Sequence, residues 1–281
     1  MVKLTAVDKQ FKNPNDVFPA VIVNDGSVQT LEECEAWIRE NQVELGAILT
    51  ASGAVLFRGF PVNSAEAFDG FSASFGYPNF TYKESFSNAV RINFTERVFT
   101  ANEAPKDVEI YLHNEMAQTP IYPDKIFFFC LTPADEGGAS PLMRCDMLFD
   151  ALSEKAPQLA RDFSEKGVKY TTVMPGVDDP ESGQGRSWKN TLSVETKTEA
   201  EEKLQRLGYS WEWLEADRLK AITGTLSAVR ELPCGRKAFF NQLIAAYMGW
   251  QGVHENHQDT LCFGDGSEIP KEGLDLVVEL S

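Results

Sequence analysis

Histidine is scarce in this chain: three among 281 residues, at positions 113, 254 and 257. Any chemistry that needs an imidazole is confined to those places. Cysteine is sparse as well. Cys34, Cys130, Cys145, Cys234 and Cys262 are odd in number and none is closely paired, which argues against a disulfide framework and suits a reducing compartment. Basic residues are outnumbered, 26 Lys and Arg against 42 Asp and Glu, for a net charge of −16 and a pI near 4.7. Such a surface repels nucleic acid and anionic membranes, so neither is expected as a partner. No stretch approaches the roughly 18 successive apolar residues of a membrane span. The N-terminal MVKLTAVDKQFKNPND has no apolar segment of signal-peptide length. A soluble, cytoplasmic protein is expected.

Against these shortages stands a hydrophobic content of 43%, enough to bury a real core as one large domain over residues 1–281. Phe18 to Val23, with Pro14 and Pro19 beside it, can form an edge strand. Thr30 with Glu33 spells a capping box, and Leu31, Cys34, Trp37, Ile38, Leu45, Ile48 and Leu49 recur at helical spacing until Gly53. Ala54–Phe57 reads as a buried strand with Arg58-Gly59-Phe60-Pro61 as its exit, and Arg58, long enough to reach an anion, is expected to meet a structural carboxylate. Ser64 caps a second helix whose Phe68, Phe71 and Phe75 form a core stripe. Further on, Cys145–Ser153 and Ala156–Lys166 are helical by period and Val168–Val173 alternates like a strand. Residues 175–225 read as a loop and helical insertion, with a second capping box expected at Thr198–Glu201. Ser227–Leu232 and Arg236–Asn241 form a predicted hairpin across Pro233-Cys234-Gly235. Gln242–Trp250 is apolar enough to line a pocket, and Pro270 suits the first position of a last amphipathic helix.

The sharpest chemical signal lies in YLHNEMAQTPIYPDKIFFFCLTPADEGGAS, Tyr111 to Ser140. If Val108–Leu112 is a strand, its period of two points His113 and Glu115 to one face. An imidazole and a carboxylate there are two of the three ligands of the facial triad in non-haem Fe(II) oxygenases. A surface strand bearing one polar pair fits the same pattern. Downstream, Lys125–Leu131 reads as a fully buried strand with Cys130 in the core, and Gly137-Gly138-Ala139-Ser140-Pro141 as a backbone-tight entry to the next element.

HNEMAQTPIYPDKIFFFC followed by GGAS resembles the taurine dioxygenase and clavaminate synthase-like superfamily of Fe(II)/2-oxoglutarate dioxygenases, in its His-x-Glu branch. VLFRGF (Val55–Phe60), GRSWKN (Gly185–Asn190), AFFNQLIAAYMGW (Ala238–Trp250) and FGDGSEIP (Phe263–Pro270) extend the similarity in family order over most of the chain. The resemblance implies a mainly β, α+β fold: a double-stranded β-helix, or jelly roll, with flanking helices and a helical insertion. It implies that His113 and Glu115 are iron ligands, and that Ser140, where the family usually has Thr, helps hold a carboxylate of 2-oxoglutarate. It also implies oxidative decarboxylation of 2-oxoglutarate to succinate with dioxygen, coupled to hydroxylation or desaturation of a small molecule, an amino acid or a derived metabolite. Arg91, Asn93 and Thr100 fall where the family approaches substrate, though an ordered surface loop accounts for them equally well.

One departure stands out. The family completes its triad with a distal His, followed by an Arg for the far carboxylate of 2-oxoglutarate, both beyond the FGDG turn. No residue here takes either place by motif, so the last strands of the sheet are expected to be missing. A truncated or catalytically impaired homologue acting as a binding protein is the alternative. His254 and His257 could share a helix face, but GVHENHQDT is polar and is expected to be a solvated loop. A hydrolytic zinc site finds no third ligand at zinc-motif spacing.

Overall fold

The structure is a computed structural model that describes all residues except 1, 9, 14–15, 82–85, 87–90, 102–108, 179–185 and 251–252. Its contacts divide into two compact units.

The first unit comprises residues 1–79, 92–101 and 127–138. Strands β1 (Phe11–Asn13) and β2 (Asp16–Phe18) pair antiparallel, and β3 (Ala20–Val23), α1 (Leu31–Ser52) and β4 (Val55–Arg58) follow. β3 and β4 run parallel, Ala20 opposite Val55 and Val23 opposite Arg58, so α1 makes the crossover that parallel strands require. The predicted capping box starts α1: the Thr30 hydroxyl accepts from the Glu33 amide at 3.2 Å and the Glu33 carboxylate accepts from the Thr30 amide at 3.1 Å. Gly53, at φ 85°, ends it in the left-handed conformation that glycine adopts without strain. Ser64 caps α2 (Ala65–Ala73), and Phe71 and Phe75 join Ile22, Cys34, Ile38 and Leu45 in the core, as the stripe predicts. Arg58 is exposed, and among the described residues it has no carboxylate partner.

Lys125–Leu131 does not form the fully buried strand expected. Among the described residues the run joins no sheet ladder; Phe127 packs on Phe75 and Phe129 stacks on Phe68, while Phe128 is 71% exposed and Cys130 is exposed too. An unbroken apolar run suggests two buried faces. Among the described residues only one of the faces finds a packing layer.

The second unit comprises residues 80–91, 102–126 and 139–281. Helices α3 (Cys145–Lys155) and α4 (Pro157–Lys166) lead into β5 (Val168–Met174), then α5 (Trp188–Leu192), α6 (Lys197–Arg206), β6 (Ser210–Trp213) and β7 (Leu219–Ile222). β8 (Arg230–Glu231) and β9 (Lys237–Ala238) form the predicted hairpin in shorter form, followed by α7 (Leu243–Gly249), β10 (Leu261–Phe263) and α8 (Lys271–Leu280). The main sheet is antiparallel in the order β10-β5-β7-β6. Leu152, Phe163, Val168, Tyr170, Phe239, Leu243, Tyr247 and Leu261 are buried around it with α3, α4, α7 and α8. α7 thus packs its apolar face into this core.

Residues 175–225 carry β6 and β7 in addition to their helices, and they bury a second cluster of Trp188, Leu192, Leu204 and Leu219. The capping box of α6 is Thr196 with Glu199, two residues earlier than Thr198–Glu201. Starting there turns Ala200 and Leu204 inward and lets buried Lys203 donate to the Leu192 carbonyl at 2.7 Å, at the end of α5. Pro270 sits at the N-cap of α8, one residue before the place expected.

The FGDG turn has a steric reason. A Cβ at Gly264 would lie 2.1 Å from the Lys166 carbonyl and 2.2 Å from the Thr225 methyl, while the Gly264 amide donates to the Gly167 carbonyl at 3.1 Å. The Lys166 carbonyl is backbone and cannot yield cheaply. Gly264→Ala should destabilise the protein by about 1–3 kcal/mol, the usual cost of overpacking, read as a lower urea midpoint with unchanged slope. A midpoint equal to wild type would show that the turn relaxes.

Candidate active site

The segment from Tyr111 to Thr119 is held on the second unit by its apolar and amide side chains. Tyr111 and Leu112 pack on the main core, and the Tyr111 ring lies where a Cβ on Gly249 would come within 3.2 Å of it. The Asn114 amide donates to the carbonyls of Asn241 at 3.0 Å and Phe239 at 3.4 Å, and its oxygen accepts from the Cys145 thiol at 3.3 Å. Burial pushes the Cys145 pKa up, which keeps the thiol protonated as a donor. Asn114 thus ties its segment to β9, to the start of α7 and to the start of α3.

Residues 109–112 make no ladder, so the strand expected at Val108–Leu112 is absent in its described part, and Val108 lies outside the described residues. A turn does what the strand was expected to do. It begins at Glu115, passes through Met116 in the left-handed region at φ 60°, and closes with the Thr119 amide on the Met116 carbonyl at 3.0 Å. His113 Nε2 and Glu115 Oε2 come within 3.7 Å of each other.

The pair is oriented on both sides. His113 Nδ1 lies 2.8 Å from the Tyr111 carbonyl. A carbonyl only accepts, so Nδ1 carries the hydrogen and Nε2 of the neutral ring presents its lone pair toward Glu115. Arg91 donates from Nη2 to Glu115 Oε1 at 3.0 Å, and the two side chains are only 16% and 15% exposed. The Glu115 carboxylate raises the His113 pKa above its ordinary value, partly opposed by desolvation.

This donor set suits a divalent metal. A neutral imidazole backed by a carbonyl, with a carboxylate beside it, is a common first and second sphere. Two adjacent ligands at about 2.1 Å from one ion lie about 3 Å apart, near the separation found. Among the described residues no third His, Cys, Asp or Glu joins them.

Ser140 is exposed, and among the described residues it makes no hydrogen bond to His113, Glu115 or Arg91. Asn93 and Thr100 belong to the first unit, where Asn93 bridges Phe99 and the Thr100 hydroxyl accepts from the Ile92 amide at 2.9 Å. His257 is buried, not solvated: its Nε2 bonds the Ile269 carbonyl at 2.8 Å and its ring meets the edge of Tyr247. His254 is exposed against the same tyrosine. Sequence reasoning missed Asn114. The available signal was a polar residue between two outward-facing ones, which turned inward must find hydrogen-bond partners.

Comparison with known proteins agrees with the resemblance of the sequence. The model of the taurine catabolism dioxygenase TauD, TfdA family matches residues 25–280, and the chain belongs to that family of dioxygenases. It is similar to the clavaminate synthase-like protein At3g21360 of Arabidopsis thaliana, 34% identical over 274 residues, covering 95% of this chain and 82% of the relative. The dapdiamide synthesis protein DdaC of Enterobacter agglomerans is 28% identical over 244 residues, covering 81% and 69%. No helix among the described residues is long and apolar enough to cross a membrane.

Proposed function

We propose that this chain is an Fe(II)- and 2-oxoglutarate-dependent oxygenase that hydroxylates or desaturates a small molecule, an amino acid or amino-acid-derived metabolite, on a jelly-roll core. The observation that carries the reading is the convergence of His113 Nε2 and Glu115 Oε2, 3.7 Å apart, in a chain of the TauD/TfdA family. His113 and Glu115 would hold the iron, and Ser140 would donate a hydrogen bond to a carboxylate of 2-oxoglutarate. The metal supplies activation of dioxygen. The chain's own residues fix the two ligands: Tyr111 sets the tautomer, Asn114 anchors the backbone between them, and Arg91 holds one carboxylate oxygen.

The test is succinate release from 2-oxoglutarate under air, with and without Fe(II) and candidate amino acids. Iron-dependent succinate is expected. No succinate from a protein that binds iron and 2-oxoglutarate would overturn the reaction class. Ser140→Ala should weaken 2-oxoglutarate by about 10-fold to 100-fold, since a hydrogen bond to a charged group is worth about 1.5–3 kcal/mol, while iron affinity stays unchanged. Unaltered 2-oxoglutarate affinity removes Ser140 from the site.

A further inference from the structure

The two oxygens of Glu115 are already divided between two neighbours. Oε1 accepts from the Arg91 guanidinium at 3.0 Å, and Oε2 faces His113 Nε2 at 3.7 Å. Arg91 and Glu115 are 16% and 15% exposed, so their charge-assisted bond is little screened by water. The backbone on either side of Glu115 is fixed independently, by the amide bonds of Asn114 and by the left-handed turn at Met116. Those contacts fix the backbone and leave the side-chain torsions of Glu115, rotation about the bond to the carboxyl group among them, to other contacts. Arg91 supplies one such contact, because a planar guanidinium binds a carboxylate oxygen directionally where a point charge would not.

We propose that Arg91 is a positioning residue that holds Glu115 Oε1, so that a bound metal takes Glu115 through Oε2 alone, beside His113 Nε2. This rests on the reading of His113 and Glu115 as metal ligands. It replaces the expectation that Arg91 contacts substrate with a role one shell further from the metal. The carboxylate keeps one coordination position instead of two, and the position it does not take stays open for exchangeable ligands.

Cobalt(II) alone is the probe, titrated into the full 281-residue chain and its Arg91→Ala, Arg91→Lys and Glu115→Ala variants, with visible d–d absorption reporting the ligand field. Arg91→Ala is expected to bind Co(II) about 10-fold to 100-fold more weakly, the usual range for losing a partner of a metal ligand, with an altered d–d spectrum as the freed carboxylate turns. Arg91→Lys keeps a cation without the planar fork, so it should recover part of the affinity and give an intermediate spectrum. Wild-type affinity and spectrum in folded Arg91→Ala would overturn the proposal. So would a change in thermal unfolding alone, with the folded fraction of either variant keeping the wild-type spectrum. If Arg91→Ala does not fold, the Lys variant decides by the same criterion. Equal Co(II) binding by wild type and Glu115→Ala would instead refute the ligand assignment itself, a result distinct from failure of the Arg91 role.

Discussion

His113→Ala will lower Fe(II) affinity by more than about 100-fold, because loss of a ligand exceeds the 10-fold to 100-fold cost of losing a partner behind one. Glu115→Ala should do the same. Neither substitution removes packing from the main core, since His113 is 34% exposed and Glu115 faces a guanidinium, so both variants should remain folded by circular dichroism. Wild-type affinity in either would remove that residue from the site. The same pair makes a pH prediction whose sign separates the metal-free from the metal-bound protein. Glu115 raises the folded pKa of His113 above 6.5, so the contact stabilises the metal-free protein below that value. This contribution is lost as pH rises through the raised pKa. Metal binding runs the other way, because the ion must displace the proton from Nε2. Apparent Fe(II) affinity should climb about tenfold per pH unit up to the raised pKa and then level off. A titration that is flat between pH 6 and 8 would separate His113 from the ion.

The second large effect concerns stability. Asp146, in the first turn of α3, is nearly enclosed, as is Arg144, and the half-buried Arg236 joins them. Arg144 Nε donates to one carboxylate oxygen at 2.8 Å and Arg236 Nη1 to the other at 2.6 Å. The bond from Arg144 holds the Asp146 pKa down at about 2. This cluster ties α3 to the β8–β9 hairpin, the same junction from which Asn114 takes its anchors at Phe239 and Asn241. Asp146→Ala leaves the Arg144 side chain, 6% exposed, without this carboxylate, and breaking a buried pair costs about 3–5 kcal/mol. The thermal midpoint should fall on the order of 10 °C, and metal affinity should fall with it as Asn114 loosens. Because the carboxyl pKa is depressed on folding, its contribution of about 2.5 kcal/mol is present above pH 4 and lost as pH drops toward 2. In Asp146→Asn that acid-dependent part should be missing. Identical acid unfolding profiles for wild type and Asp146→Asn would show that the triad contributes nothing net.

The sequence by itself determined what short-range chemistry dictates. The capping box at Thr30 and Glu33, the cap at Ser64, the phenylalanine stripe of α2 and the turn at Pro233–Gly235 are local, because capping groups and periodic apolar positions lie within a few residues of each other. His113 and Glu115 were legible for a related reason. Two residues apart, they can meet by a strand or by a turn, and it is the turn through Met116 that brings them together. Tertiary structure alone decided the rest. FFFC at Phe127–Cys130 carries the apolar signature of a buried strand, yet whether a second layer covers Phe128 depends on residues distant in the chain. The start of α6 moved from Thr198 to Thr196 because two equally good caps compete and the burial of Leu204 selects between them. His257 reads as solvated among polar neighbours, until the Ile269 carbonyl, twelve residues on, gives its ring a buried partner. Arg91 lies 24 residues from Glu115, and no pattern in the chain announces that a guanidinium will be placed on that carboxylate. Contacts of this kind are fixed by the path of the folded backbone, and periodicity carries no information about them.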